Sequence, residues 1–220
     1  MTKDKDYRNT TYCPVLKNVR EQKQALEEEI RAVSPHTKII YNKVRDRTGV
    51  YHKRFANIYN EKCAYCGAMW GLLPVESFEV DHFLNEASFS DTTEGRIEAG
   101  RIFNLVWSCI SCNRGKRGIT IEPPYDELLN VDSGKITEVF ERDKNYYIRI
   151  CDTYQSDEFV QRFYEELHLG YETRRLDYLG LQIAGKYQAE RNEERKRKLA
   201  ESLSILLRKR NHMTVTDGAV

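Results

Sequence analysis

The sequence predicts an α+β fold: a small mixed core on a four-cysteine structural zinc site, wrapped by helices from the N- and C-terminal parts of the chain. Three observations carry this expectation. Two Cys-x-x-Cys pairs, Cys63/Cys66 and Cys109/Cys112, stand 43 residues apart. The apolar segments beside and between them read as strands, and the flanking segments carry helical periodicity. A chain of 220 residues has room for one good core with helical extensions.

The elements follow in order. After Pro14, LKNVREQKQALEEEIRAV sets Leu16, Val19, Leu26, Ile30 and Val33 on one helical stripe, which Ser34-Pro35 ends. A second helix is expected over residues 50–59, with Val50, Phe55 and Ile58 inward. C-A-Y-C-G then forms a tight knuckle in which Gly67 can take a positive φ. VESFEVDHF alternates as a strand ending at Asp81-His82. NEASFSDTTEGRIEAG reads as a loop with one short helical turn, and RIFNLVWSC returns to an apolar run before the second knuckle. Pro123-Pro124 marks the exit. LLNVDSGKITEVFERDKNYYIRI then suggests a strand, an Asp-Ser-Gly turn and further strands. From Ser156 the pattern is helical: FVQRFYEELHL, then a long charged stretch over residues 171–210 whose apolar stripe runs through Leu199, Leu203 and Leu206. The final HMTVTDGAV reads as frayed. These signals divide the chain into a helical extension (1–58), a knuckle core (59–122), and a strand hairpin with a helical C-terminal region (123–220).

Composition narrows the class. No apolar run approaches the roughly 18 residues that span a bilayer, and the start, MTKDKDYRNT, is no signal peptide, so a cytoplasmic protein without membrane contact is expected. Four of the six cysteines form vicinal pairs, a spacing suited to a tetrahedral metal rather than to a secreted disulfide framework. A redox use fits less well, because two similar pairs occur and neither precedes a thioredoxin-like βαβ pattern. Cys13 and Cys151 read as core residues or free thiols. The charge is balanced at 35 basic against 34 acidic residues, but its distribution is uneven. Residues 38–54 carry six cations against Asp46, residues 186–210 carry nine against four Glu, and residues 76–98 carry seven acids and one Arg. Basic flanks around an acidic centre suit a polyanion held outside and a cation held within.

The polar residues around the knuckles carry the chemistry. Asp81-His82 ends a strand, Asn104 precedes the second knuckle, and Asn113, Arg114 and Lys116 follow it directly. A carboxylate and an amide oxygen are hard ligands suited to Mg²⁺ or Mn²⁺. A neutral imidazole beside such an ion can take a proton from attacking water near pH 7. Among the other histidines only His52, in a basic helix, has a plausible reach to a phosphate.

C63-A-Y-C66, E79-V-D-H82 and N104-L-V-W-S-C109-I-S-C112-N113-R-G-K116 together resemble the HNH endonuclease family in its zinc-knuckle form, over about residues 59–116. The resemblance implies a ββα-metal core, a β-hairpin followed by a helix around one divalent ion. It implies His82 as the general base, Asp81 and Asn113 as ligands of a catalytic Mg²⁺ or Mn²⁺, and Cys63, Cys66, Cys109 and Cys112 as the structural zinc ligands. Asn104 would pin the hairpin loop through backbone hydrogen bonds, and Lys116, with Arg114 assisting, would meet a DNA phosphate. The chain departs from many members in having Asn113 where they carry His, and in the long interval from His82 to Asn104.

The flanks loosely resemble the HNH subunits of bacterial anti-phage systems such as Septu and some retron systems, which work with a partner ATPase. The chain has no Walker-type phosphate loop of its own, so nucleotide-driven control would come from another protein. The long flanking helices are candidates for partner docking or a homo-oligomer. Two alternatives stand beside a DNA endonuclease: a zinc-stabilised, non-catalytic binding or scaffold subunit, and an RNA-directed nuclease.

Overall fold

A computed structural model describes residues 6–13, 16–69 and 73–216. Pro14, after which the leader helix is expected to run, lies outside them. Helix α1 (Val19–Val33) buries Val19, Leu26 and Ile30, the spacing that the sequence stripe requires. It stops where Ser34 N–H bonds the Ile30 carbonyl. Val33, assigned to the same stripe, is 68 % exposed because it closes the helix beyond the packed turns. A short helix α2 (Tyr41–Val44) precedes α3 (Val50–Ile58), which buries Phe55 and Ile58. Val50 is 64 % exposed, against the expectation, since it opens the first turn directly after the extended Gly49.

The first knuckle is a hydrogen-bonded turn. Cys63 N–H donates to Ala68 O at 2.7 Å, and Gly67 N–H donates to Cys63 O at 2.9 Å. Gly67 has φ 77°, and a Cβ there would lie 2.7 Å from Arg8 O, so conformation and space both demand glycine.

A 3-10 turn, Val75–Ser77, leads into strand β1 (Phe78–His82). The connection contains α4 (Thr93–Ala99), capped by the Thr92 side chain, which accepts from Gly95 N–H. Strand β2 (Leu105–Cys109) pairs antiparallel with β1, Phe78 opposite Cys109 and His82 opposite Leu105. It runs without a break into α5 (Ile110–Lys116). Trp107, fully buried at the centre of β2, stacks against Phe78 and meets the edge of His52.

Helices α6 (Tyr125–Leu128) and α7 (Ile136–Val139) follow, then a second antiparallel hairpin of β3 (Phe140–Arg142) and β4 (Ile148–Ile150). The V-D-S-G-K-I segment, expected as a strand hairpin, instead opens a helix. Gly134, at φ 78°, turns its carbonyl to accept both the N–H and the hydroxyl of Thr137, and the chain enters α7. The hairpin comes one element later, across residues 143–147.

Helix α8 (Glu158–Glu166) is capped by Asp157. The charged stretch that reads as one continuous helix is two: α9 (Glu172–Ala189) and α10 (Glu193–Thr216). The break falls at Glu190, whose ψ of 136° is extended, and Asn192 Oδ1 restarts the helix by accepting from Arg195 N–H at 3.0 Å. The ion pairs Lys209–Glu172 and Arg210–Asp177 show the two helices running antiparallel. Leu199, Leu203 and Leu206 are half-buried, and α10 packs against α9. Helix α10 continues to Thr216, into the tail expected to fray, and residues 217–220 lie outside the description. One hydrophobic cluster runs from Tyr7 to Leu169 and includes the knuckle cysteines. Among the described residues no helix is long and apolar enough to cross a membrane.

Candidate metal centre and active site

Antiparallel pairing of β1 with β2 and the knuckle turn of residues 63–67 bring the two cysteine pairs together. Cys63, Cys66, Cys109 and Cys112 are all buried, and their four Sγ atoms lie within 4.8 Å of one another. Cys66 and Cys109 Sγ are 3.9 Å apart, close to the roughly 3.8 Å that tetrahedral Zn–S bonds of about 2.3 Å require. Hydrogen bonds from Cys112, Cys63 and Cys66 hold Cys109 well below the ordinary thiol range. The bond to Cys109 and the surrounding burial push Cys66 up, and burial does the same to Cys112. Four converging buried thiols fit a closed structural metal site such as zinc. Cys13 and Cys151, both half-buried, are not part of the cluster.

Sequence alone gave no sign of the cluster's cationic neighbour. Arg174, from α9, donates to Cys109 Sγ at 3.7 Å and Cys112 Sγ at 3.4 Å, and also to Ser111 Oγ and Leu167 O. Gly115 permits the packing that brings this region together: a Cβ there would sit 1.9 Å from Glu166 O, at the end of α8.

Asp81 and His82, adjacent at the end of β1, have separate environments. Asp81 is 5 % exposed; its Oδ2 accepts from Tyr65 OH at 2.8 Å and its Oδ1 lies 3.4 Å from Lys116 Nζ. Burial raises its carboxyl to about 6, while Lys116 and the Tyr65 hydrogen bond pull the other way. The His82 ring is half-buried against Tyr41, with centroids 4.2 Å apart. Burial, aided by Lys116 and Arg45 and opposed by Glu86, holds it below the ordinary histidine value, so the imidazole is neutral near pH 7. Exposed Arg45 lies over the other partner of that contact, 5.4 Å from the Tyr41 ring centre. Tyr41 and Arg45 are therefore neighbours of the candidate base that sequence spacing did not single out.

Asn104 grips the loop that follows His82. Its Oδ1 accepts from Leu84 N–H at 2.8 Å, and its Nδ2 donates to Leu84 O at 3.0 Å and to Ala99 O at 2.8 Å. Its main-chain carbonyl accepts from Phe83 N–H at 2.7 Å.

Lys116, expected to meet a phosphate, faces inward. It is 1 % exposed, and its ammonium donates to His82 O at 2.7 Å, Phe83 O at 3.3 Å and Asn85 Oδ1 at 3.1 Å besides pairing with Asp81. Its four-carbon stem crosses from α5 to the strand end and leaves the charge beneath the loop. Arg114 is exposed on the same helix. Asn113 Nδ2 donates to Glu79 Oε1 at 2.7 Å, so Glu79, two residues before Asp81 on β1, also belongs to this face. His52 is a core residue: it is 8 % exposed and bonds Val44 O through Nδ1.

For a divalent cation the donors have suitable hardness, and each is engaged within the protein. Asp81 is held by Tyr65 and Lys116 while Asn113 is held by Glu79, and among the described residues only the four cysteines bring three or more ligand atoms of His, Cys, Asp or Glu together. Protein-family models, curated proteins and solved structures contain no match to this chain, so its geometry and chemistry carry the functional reading.

Proposed function

We propose that the chain is a divalent-metal-dependent endonuclease of HNH type that hydrolyses DNA phosphodiester bonds. The observation that carries this reading is the Asn104 clamp: its side chain bonds both the N–H and the carbonyl of Leu84, two residues beyond His82. It does so within a β-hairpin whose second strand passes directly into a helix bearing Asn113. Two antiparallel strands and a helix, locked at one end by a cysteine cluster and at the other by this clamp, are the frame a ββα-metal site needs.

In that frame His82, neutral near pH 7, takes the proton of the attacking water. Burial, which disfavours the protonated ring, keeps it a base rather than a cation. Arg45, exposed beside Tyr41, supplies positive charge near the imidazole that suits a phosphodiester. Asp81 and Asn113 are the residues that would hold Mg²⁺ or Mn²⁺, which polarises a phosphate and stabilises the leaving oxygen when bound. Zinc on the four cysteines would fix the frame and take no part in the chemistry. Without a phosphate loop, the chain would depend on a partner ATPase for any nucleotide control, which suits a role in anti-phage defence.

The test is cleavage of plasmid DNA, and of RNA in parallel, by zinc-loaded protein with Mg²⁺ or Mn²⁺, comparing wild type with His82→Ala. Divalent-dependent nicking or cutting of DNA that disappears in the variant is the expected result. No cleavage by wild type, or full cleavage by the variant, defeats the reading, and cleavage of RNA alone redirects it. The Lys116–Asp81 pair favours a second reading, a zinc-stabilised scaffold without turnover. That reading expects zinc binding and no Mg²⁺- or Mn²⁺-linked change in stability.

A further inference from the structure

A zinc ion with four thiolates carries a formal charge of about −2, and burying such a charge is costly unless a cation sits against it. Of the buried cations beside the candidate site, Lys116 is taken up by Asp81 and the loop carbonyls, and Arg8, at the first knuckle, pairs with Asp6. A third is Arg174. It is 5 % exposed and points one terminal nitrogen at Cys109 and the other at Cys112. The same second nitrogen reaches Ser111 Oγ at 3.0 Å and Leu167 O at 3.2 Å, so the guanidinium is fixed on three sides of the second knuckle. One turn along α9, Asp177 is 2 % exposed and pairs with Arg210 of α10 through Oδ1. Arg210 takes up Asp177 Oδ1, and both terminal nitrogens of Arg174 are spent on the sulfurs and the second knuckle.

We infer that Arg174 is the outer clamp of the metal centre, and that metal retention and docking of the α9–α10 hairpin on the knuckles are one linked equilibrium. Linkage is reciprocal: if the docked arginine tightens the metal, the metal tightens the docking by the same factor. Partners outside the ligand shell typically change metal affinity about 10- to 100-fold, and a forked, charge-assisted N–H···S pair in a dry site belongs to that class. The knuckle spacing supplies the ligands; the second segment that completes the site comes from 62 residues beyond Cys112.

The inference rests on zinc occupancy of the cysteines and stands apart from the nuclease reading. Metal analysis of the purified full-length chain comes first, with one zinc per chain expected. A metal-free wild type overturns the inference together with the zinc assignment, and leaves cleavage as a separate question. Zinc transfer to a colorimetric chelator is then compared for wild type, Arg174→Lys and Arg174→Met. The expected result is 10- to 100-fold weaker retention in Arg174→Met, with partial rescue by Arg174→Lys, which keeps the charge and loses the fork. Retention equal to wild type in either a folded Arg174→Met or in both variants overturns the clamp. Should Arg174→Met fail to fold, hydrogen exchange of wild type before and after zinc removal decides. Loss of protection confined to α9 and α10, with α1 still protected, supports the linkage. Unchanged protection in α9 and α10, or loss in α1 at the same rate, overturns it.

Discussion

Replacing Asn104 by Ala removes three hydrogen bonds at once, to Leu84 N–H, Leu84 O and Ala99 O, and leaves the backbone pairing of Phe83 with the Asn104 carbonyl intact. Each such bond contributes about 0.5–1.5 kcal/mol net, which bounds the loss at about 1.5–4.5 kcal/mol. Asn104 is half-buried, so water can reach part of the vacated site, and about 2 kcal/mol is the expected loss. For a chain of this length that corresponds to a melting shift of about 4–8 °C. Asn104→Asp separates the donors from the acceptor. It keeps an oxygen for Leu84 N–H but turns a carboxylate toward the carbonyls of Leu84 and Ala99, so it should destabilise at least as much as Asn104→Ala near neutral pH. Thermal unfolding measures the total, and amide hydrogen exchange localises it. In Asn104→Ala the Leu84 amide should lose protection while the Phe83 amide keeps it. Equal protection at both positions, or a neutral Asn104→Asp, would refute the clamp and with it the observation on which the functional proposal stands.

Lys23 is fully buried on α1, donates to Leu105 O and pairs with Asp132, which also accepts from Tyr59 OH. Lys23→Met should cost about 3–5 kcal/mol by stranding the carboxylate. The double variant with Asp132→Asn should recover at least about 1 kcal/mol of the summed loss in a denaturant double-mutant cycle, whereas simple additivity would mean the pair contributes nothing as a pair. Gly115→Ala forces a methyl group to within 1.9 Å of Glu166 O and should cost about 1–3 kcal/mol or more as α5 lifts from α8. Gly118→Ala, with nothing within 4 Å of its Cβ, should be close to neutral in the same melting assay, and equal effects at the two glycines would rule out the close approach.

What the sequence made legible was whatever depends on short spacing. The two cysteine pairs, the positive φ at Gly67, the burial of Val19, Leu26 and Ile30, and a strand ending at His82 all follow from local pattern, and the structure has them. Element ends were less legible: Val33 and Val50 fit their helical stripes but lie in terminal turns that reach past the core. The break between α9 and α10 did carry a local signal, Asn192 followed by Glu193 and Glu194, a capping residue ahead of an acidic first turn, which the continuous charge run obscured. Lys116 misled for a different reason. Its position one turn after Asn113 suits a phosphate contact, but a lysine stem is long enough to reverse where the charge ends up, and the acceptors beneath the loop took it. Arg174 could not be read at all, because nothing local in α9 distinguishes it from the exposed arginines of the neighbouring helix.

The residues that hold the hairpin and helix come from well outside it. Tyr7 OH bonds Tyr65 O, and Arg8 reaches both Ala64 O and Val131 O, tying the first knuckle to the chain's beginning and to the segment beyond α6. Lys23 holds the Leu105 carbonyl, one residue after the Asn104 clamp. Arg174 meets the sulfurs from α9. The frame carrying Asp81, His82 and Asn113 is thus set by contacts from three separate segments, each buried and each polar. Such contacts are costly when half-made. The α9–α10 hairpin is thus joined through Arg174 to Cys109, Ser111 and Cys112, and Cys112 adjoins Asn113.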